Sequence, residues 1–151
     1  MPRITWQTSP FNKLCAAELY QILQLRIDVF MLEQDCLYPE CDNKDLQAVH
    51  LMGCVDGKIV AYARLLPEGI SYTDVSIGRV VVHEAYRQYG YGKELMRQAV
   101  AYWRAIRPVG TTVRISAQLY LQRFYEEQGF QKVSETYLED NIPHIEMILL
   151  L

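Results

Sequence analysis

Arg87-Gln88-Tyr89-Gly90-Tyr91-Gly92 is the segment whose residue types most directly suggest chemistry. Gly90 and Gly92 open backbone angles closed to other residues, so successive N–H groups can turn toward one point. Downstream, Leu95, Met96, Ala99, Val100 and Trp103 recur at helical spacing, so that point is also a helix N-terminus, where free N–H groups and the dipole favour an anion. Arg87 and Lys93 add full positive charge. Upstream, Ile77, Val80, Val81 and Val82 form the β-branched run of a strand covered on both faces. Strand, glycine loop and helix together read as a phosphate cradle. On the six residues alone, a tight turn that merely holds two glycines fits equally well.

Two familiar cradles are excluded by what is missing. A nucleoside triphosphate loop needs G-x-x-x-x-G-K-[ST], whereas Gly92-Lys93 is followed by Glu94 and Arg87 stands at the first glycine. Without that hydroxyl there is no magnesium ligand. A dinucleotide fingerprint needs a third glycine where the chain has Leu95.

The remaining pattern, R-x-x-G-x-G between a strand and a helix, resembles the pyrophosphate loop of the GNAT acetyltransferases, which use acetyl-coenzyme A without a metal. A second segment, Gln118 to Phe130, resembles the family's other signature, a helix that carries a tyrosine and closes in Gly-Phe. The matching tyrosine is Tyr125, and Gln118 stands where many members have asparagine. Further matches, among them Leu25-Arg26, Glu33-Gln34, Ile77-Gly78-Arg79-Val80 and the closing Tyr137 to His144, look like the ElaA-type branch and span most of the chain. The resemblance implies a GNAT-type mixed α/β fold with a largely antiparallel sheet, a central parallel βαβ unit and helices on both faces. It implies acetyl-CoA binding by Val80, Val81, Val82, Arg87, Gln88, Tyr89, Gly90, Tyr91, Gly92, Lys93, Gln118, Phe124 and Tyr125, and an amine acceptor, small molecule or protein.

Acetyl transfer to an amine needs a base for the amine proton, donors for the carbonyl oxygen and an acid for the leaving thiolate. Tyr125, with an ordinary pKa of about 10, is the candidate acid. A packed core aromatic is the alternative for one tyrosine among 11. His144 is the first candidate base, followed by Asp140 or Glu139 beside it, then Glu33. A coenzyme-A sensor without turnover, or a nucleotide-binding α/β domain, would need the same loop.

The 151 residues fit one domain with a core large enough to stand alone. Half the residues are hydrophobic and the net charge is −3, which excludes disorder and argues against nucleic acid as a partner. No apolar run reaches membrane-spanning length and the start lacks a signal-peptide core, so a cytoplasmic location is expected. Cys15, Cys36, Cys41 and Cys54 have neither disulfide-framework nor zinc-ribbon spacing, and free thiols without a structural metal are expected. A homodimer is compatible with the sequence, which does not decide it.

Along the chain, Ile4–Thr8 reads as a strand and Cys15–Met31 as a helix whose apolar stripe also holds Arg26, expected to send its head out to water. Glu33 to Asp45 is an acidic loop, with five carboxylates against Lys44, that would attract a cationic amine by field if it bordered a cleft. Strands at 50–55 and 59–66 flank Asp56-Gly57, a hairpin signal. Further strands are expected at Asp74–Val82, Thr112–Ala117, Gln131–Leu138 and Ile145–Leu150, with a short helix at Leu119–Gln128 capped by Gly129.

Overall fold

The computed structural model describes residues 1–151. Eight strands form one sheet: β1 (Thr5–Pro10), β2 (Val49–Val55), β3 (Lys58–Leu66), β4 (Val75–Val82), β5 (Thr112–Gln118), β6 (Gln131–Lys132), β7 (Tyr137–Glu139) and β8 (Ile142–Leu150). The order is β1-β2-β3-β4-β5-β8-β6, with β7 also paired to β8. All pairs are antiparallel except β4 and β5, which are joined through the helix α2 (Tyr91–Ile106). The expected central βαβ unit in a largely antiparallel sheet is therefore present.

Helices cover both faces. The first, α1 (Ala16–Arg26), starts from a reciprocal cap: the Cys15 sulfur accepts the Glu18 N–H while the Glu18 carboxylate accepts the Cys15 N–H at 2.9 Å. It packs Ile22 and Leu25, with Val29 of the turn that follows, against Met52, Tyr62 and Val81. On the opposite face, α2 buries Leu95, Met96, Ala99, Val100 and Trp103 against Leu51, Ala61, Ala63 and Leu65. Burying each large apolar side chain contributes about 1.5–3 kcal/mol, so the axis of α2, and the N–H groups at its start, are held firmly.

Several elements differ from those expected of the sequence. The first helix is α-helical only to Arg26 and widens into π geometry over Ile27–Glu33, an irregularity frequent at functional sites. The expected strand at Gln131–Leu138 is two short strands, β6 and β7. The short helix expected at Leu119–Gln128 begins as a 3-10 turn, Leu119–Leu121, before α3 (Gln122–Glu127).

Asp56-Gly57 does form the β2–β3 hairpin, with φ of 49° and 77°. A second turn of the same kind, Asp140-Asn141 with φ of 49° and 63°, joins β7 to β8. Both residue types tolerate the left-handed region, but Pro143 close behind masks the hairpin signal in the sequence.

Candidate active site

The parallel pairing of β4 and β5 stops almost as soon as it starts, at Val75 with Val113 and Ser76 with Arg114. Beyond those rungs the strands part, and a cleft of about 430 Å³ opens between them. One wall is β4 from Ile77 to Val82; the other is Ile115, Ser116 and Gln118 of β5. Phe124 and Tyr125 of α3 close one side. Val29, Phe30, Glu33 and Gln34 come from the π-helical segment and its end, and Glu139, Asp140 and His144 from the β7–β8 hairpin. The position, outside the carboxyl ends of two parallel strands that a helix joins, is where open α/β sheets take their ligands.

At one end of the cleft lies the start of α2. Gly90 is left-handed, with φ of 76°, and turns the chain into the helix. Gly92 lines the cleft as a helical residue with no positive φ, and a methyl added there would reach Phe124 at 3.6 Å, an ordinary contact. Unusual angles were expected at both glycines; only Gly90 has them. Gly92 instead keeps the helix surface open to a ligand.

Arg87 also lines the cleft, but its guanidinium is already engaged. It donates to both Glu33 carboxylate oxygens at 2.7 and 2.8 Å and to the Val82 carbonyl at 3.0 Å. Next to this pair, Gln34 and Gln118 exchange amide hydrogen bonds at 3.1 and 3.3 Å. Two neighbouring side chains at the end of the π segment thus bridge the cleft.

Tyr125, in the cleft lining, is 7% exposed, and burial, with a smaller contribution from Tyr120, pushes its phenol above the ordinary range, so it holds its proton. His144 is 6% exposed and stacked on Tyr137 with ring centroids 6.1 Å apart. Its Nδ1 lies 2.6 Å from the Ile142 carbonyl, an acceptor only, so Nδ1 carries the hydrogen in the neutral ring. Nε2 lies 3.3 Å from the Glu139 carboxylate.

Residues 23–151 match the family model described as an acetyltransferase (GNAT) domain. The chain belongs to the GNAT acetyltransferase family. A UPF0039 protein of Schizosaccharomyces pombe is 49% identical over 140 residues, 92% of each chain. The solved structure of an acyl-CoA N-acyltransferase from Pseudomonas aeruginosa superposes with a TM-score of 0.89 at 44% identity, covering 97% of this chain and 99% of that one. Escherichia coli ElaA superposes with a TM-score of 0.87 at 40% identity, covering 96% and 99%. These matches place the chain in the ElaA-like branch of the GNAT family.

Of the residues named from the sequence, this GNAT cleft brings together Val80, Val81, Val82, Arg87, Gly92, Gln118, Phe124, Tyr125, Glu139, Asp140 and His144. Four others do not line it: Gln88 is exposed, Gly90 caps α2, Lys93 approaches Glu127 at 3.8 Å, and Tyr89 packs with Tyr86 and Tyr91. The Tyr91 side chain points into the core, 1% exposed, and its hydroxyl donates to the Pro2 carbonyl, which leaves only its backbone for a ligand.

The acidic loop is not the free negative field expected from the sequence. Glu40 binds Arg26 and Arg79, Asp42 binds Arg64, and Asp45 binds Arg26 and Arg64. Three carboxylates and three guanidiniums cancel. Nor does Arg26 send its head to water: it is 0% exposed, inside this network. Pairing explains both, because an unpaired buried charge is far costlier than a paired one. Cys36, Tyr38 and Arg79 from this region border the cleft, though nothing local in the sequence marks them as site residues.

The network also contains His50, 0% exposed, between the Tyr62 hydroxyl at 2.7 Å and the Asp45 carbonyl at 2.9 Å. Burial, chiefly, lowers its pKa from the ordinary 6.5, with the Arg26 and Arg64 charges reinforcing and Asp45 opposing. A depressed folded-state pKa gives stability that is present above pH 6.5 and lost as pH falls toward the folded value. For Asp42 and Asp45, burial acts upward but the hydrogen bonds and charges of Arg64, and of Arg26 at Asp45, outweigh it, so their stabilisation fades below 3.8. A Tm profile is therefore expected to bend downward below about pH 6.5 and again in the carboxylate range. In His50→Gln the first bend should disappear; its persistence would assign it to another group.

Proposed function

We propose that this GNAT chain transfers an acetyl group from acetyl-CoA to a primary amine by direct attack in a ternary complex. The observation that carries the reading is the cleft itself: an anion-accepting helix start at one end, Tyr125 and His144 at the other, and an unpaired strand edge between them. The P. aeruginosa relative, called an acyl-CoA N-acyltransferase, supports it.

The residues fit the cofactor. The N–H groups at the start of α2, Arg87 and the open surface of Gly92 would hold its pyrophosphate. Bound acetyl-CoA supplies an activated acyl carbonyl. Val80–Val82 line the cleft on the edge that β5 has left, and those of their backbone N–H groups that point away from β3 would stabilise charge growing on the carbonyl oxygen. His144 Nε2 takes the amine proton, and Glu139 steadies the imidazolium that results. Tyr125 gives its proton to the departing sulfur. Acceptor selection at the hairpin falls to Glu139 and Asp140, since Glu33, Glu40, Asp42 and Asp45 of the loop are paired with arginines.

Thiol release from acetyl-CoA across a panel of amines tests the reading. Tight binding without turnover of any amine would support a sensor instead. Glu33→Gln adds a sharper expectation, because it frees Arg87 and removes a negative charge beside the anion site. An exposed pair of this kind is worth about 0.2–1 kcal/mol, so the Kd for acetyl-CoA should fall by up to about fivefold with little change in Tm. Weaker binding in calorimetry would show that Glu33 orders Arg87 rather than competing for it.

A further inference from the structure

We propose that Glu40 and Arg79 are positioning residues for acyl transfer: their ion pair holds the β4 bulge and so aims the free N–H edge of Val80–Val82 at the acyl carbonyl. This rests on the acyl-transfer reading of the cleft.

Between the pairs Tyr62–Val81 and Arg64–Gly78, β3 offers one residue and β4 two, Arg79 and Val80. The extra residue bends the strand and re-aims the residues beyond it. Arg79 takes the bulge with φ of 49°, left-handed, although glycine is the residue that accepts this region without strain. Such a conformation persists only where the surroundings over-determine it. Here the side chain supplies the hold. Arg79 Nε donates to Glu40 Oε1 at 2.9 Å, Nη2 to the Glu40 carbonyl at 3.3 Å, and the guanidinium lies 5.5 Å from the centre of the Tyr38 ring.

Glu40 cannot yield. It is 5% exposed, the same Oε1 receives Arg26 Nε, and its other carboxylate oxygen receives the Tyr38 hydroxyl. Past Ser76 no strand pairs with the cleft edge of β4, so the bulge and its anchor set where that edge stands. Arg79 lines the cleft, but its Nε and Nη2 are held by Glu40 and, at 3.5 Å, Asp42, which ties the guanidinium to the loop.

The test compares Arg79→Gly, which accepts the left-handed angle without the anchor, Arg79→Lys, which keeps the charge without the fork, and Arg64→Lys. Arg64 belongs to the same network but does not line the cleft. Four readouts are needed: turnover, CoA affinity, Tm, and the infrared band of the thioester carbonyl in isotope-labelled acetyl-CoA bound to each protein. Loss of one carbonyl donor typically lowers kcat by about 10²–10³-fold. Both Arg79 variants should fall in or near that range, with CoA affinity within about twofold of wild type, and their carbonyl band should return toward its frequency in water. Arg64→Lys should lose Tm only. A wild-type band and kcat in Arg79→Gly would overturn the proposal, as would a Tm loss with the band unmoved. Should neither Arg79 variant fold, Glu40→Gln, which keeps an acceptor for both arginines but weakens the pair, is read on the same band with the same two outcomes. The band needs no acceptor, so a shifted band in a wild type that acetylates no amine would refute the transfer reading while supporting the positioning role; no shift in wild type would overturn the positioning role.

Discussion

Replacing Tyr125 with phenylalanine is expected to lower kcat by about 10²–10⁴-fold, the usual worth of a positioned acid, while leaving acetyl-CoA affinity and Tm near wild type. The ring stays, and with it the edge-to-face packing on Phe124 and Phe130, whose centroids lie 5.1 and 6.0 Å away. Only the proton is lost. Burial raises the phenol's pKa above its ordinary 10, which keeps the donor protonated through the neutral and mildly alkaline range. The rate profile should therefore show no alkaline fall near pH 10 from loss of this proton. A tyrosine that only packs predicts another pattern: wild-type turnover, or losses of rate and stability in parallel. Turnover, cofactor affinity and Tm on the one variant separate the cases. Wild-type kcat would take Tyr125 out of the mechanism and leave water as the proton donor.

The β4–α2–β5 unit was legible because each part announces itself within a few residues. The valine run, the glycines and the 3.6-residue period of α2 are all local signals. Tyr125 was named through the resemblance of its short helix, closed by Gly129-Phe130, to a family signature, and it lines the cleft. Pairing across the chain stayed hidden. Arg79 meets Glu40 across 39 residues, Arg87 meets Glu33 across 54, and Gln118 meets Gln34 across 84. From the sequence, the run from Glu33 to Asp45 could only be counted as net negative charge. Its meaning changed once Arg26, Arg64 and Arg79 arrived from three separate elements to neutralise it. The first helix and its π continuation carried a hint: Ile22, Leu25, Arg26 and Val29 fall at positions i, i+3, i+4 and i+7, and all four are buried. An arginine within such a stripe calls for buried carboxylates, and the nearest supply was the acidic loop just beyond the helix. The bulge gave no local signal, because its left-handed residue is an arginine with a normal glycine beside it.

The two cradle glycines are expected to fail differently when given side chains. At Gly90 the cost is backbone strain: φ is 76°, no atom would obstruct a Cβ, and a β-branched residue is an outlier there. Gly90→Val should therefore lower Tm and distort the start of α2, losing CoA binding with it. At Gly92 the backbone is helical and the nearest neighbour of a Cβ would be Phe124 at 3.6 Å, so the fold should accept the substitution. Glycine inside a helix is less stable than alanine by about 0.5–1 kcal/mol, and Gly92→Ala should raise Tm slightly while it weakens binding. Gly92→Val should place a branched side chain between the ligand and the first N–H groups of α2. Losing two hydrogen bonds to a charged group, at about 1.5–3 kcal/mol each, corresponds to a Kd some 10²–10⁴ times higher. A folded Gly92→Val protein that keeps wild-type affinity for CoA in calorimetry would place the pyrophosphate elsewhere and remove the start of α2 from the site. A Tm that rises while affinity collapses is the signature expected of a residue kept as glycine for the ligand rather than for the fold.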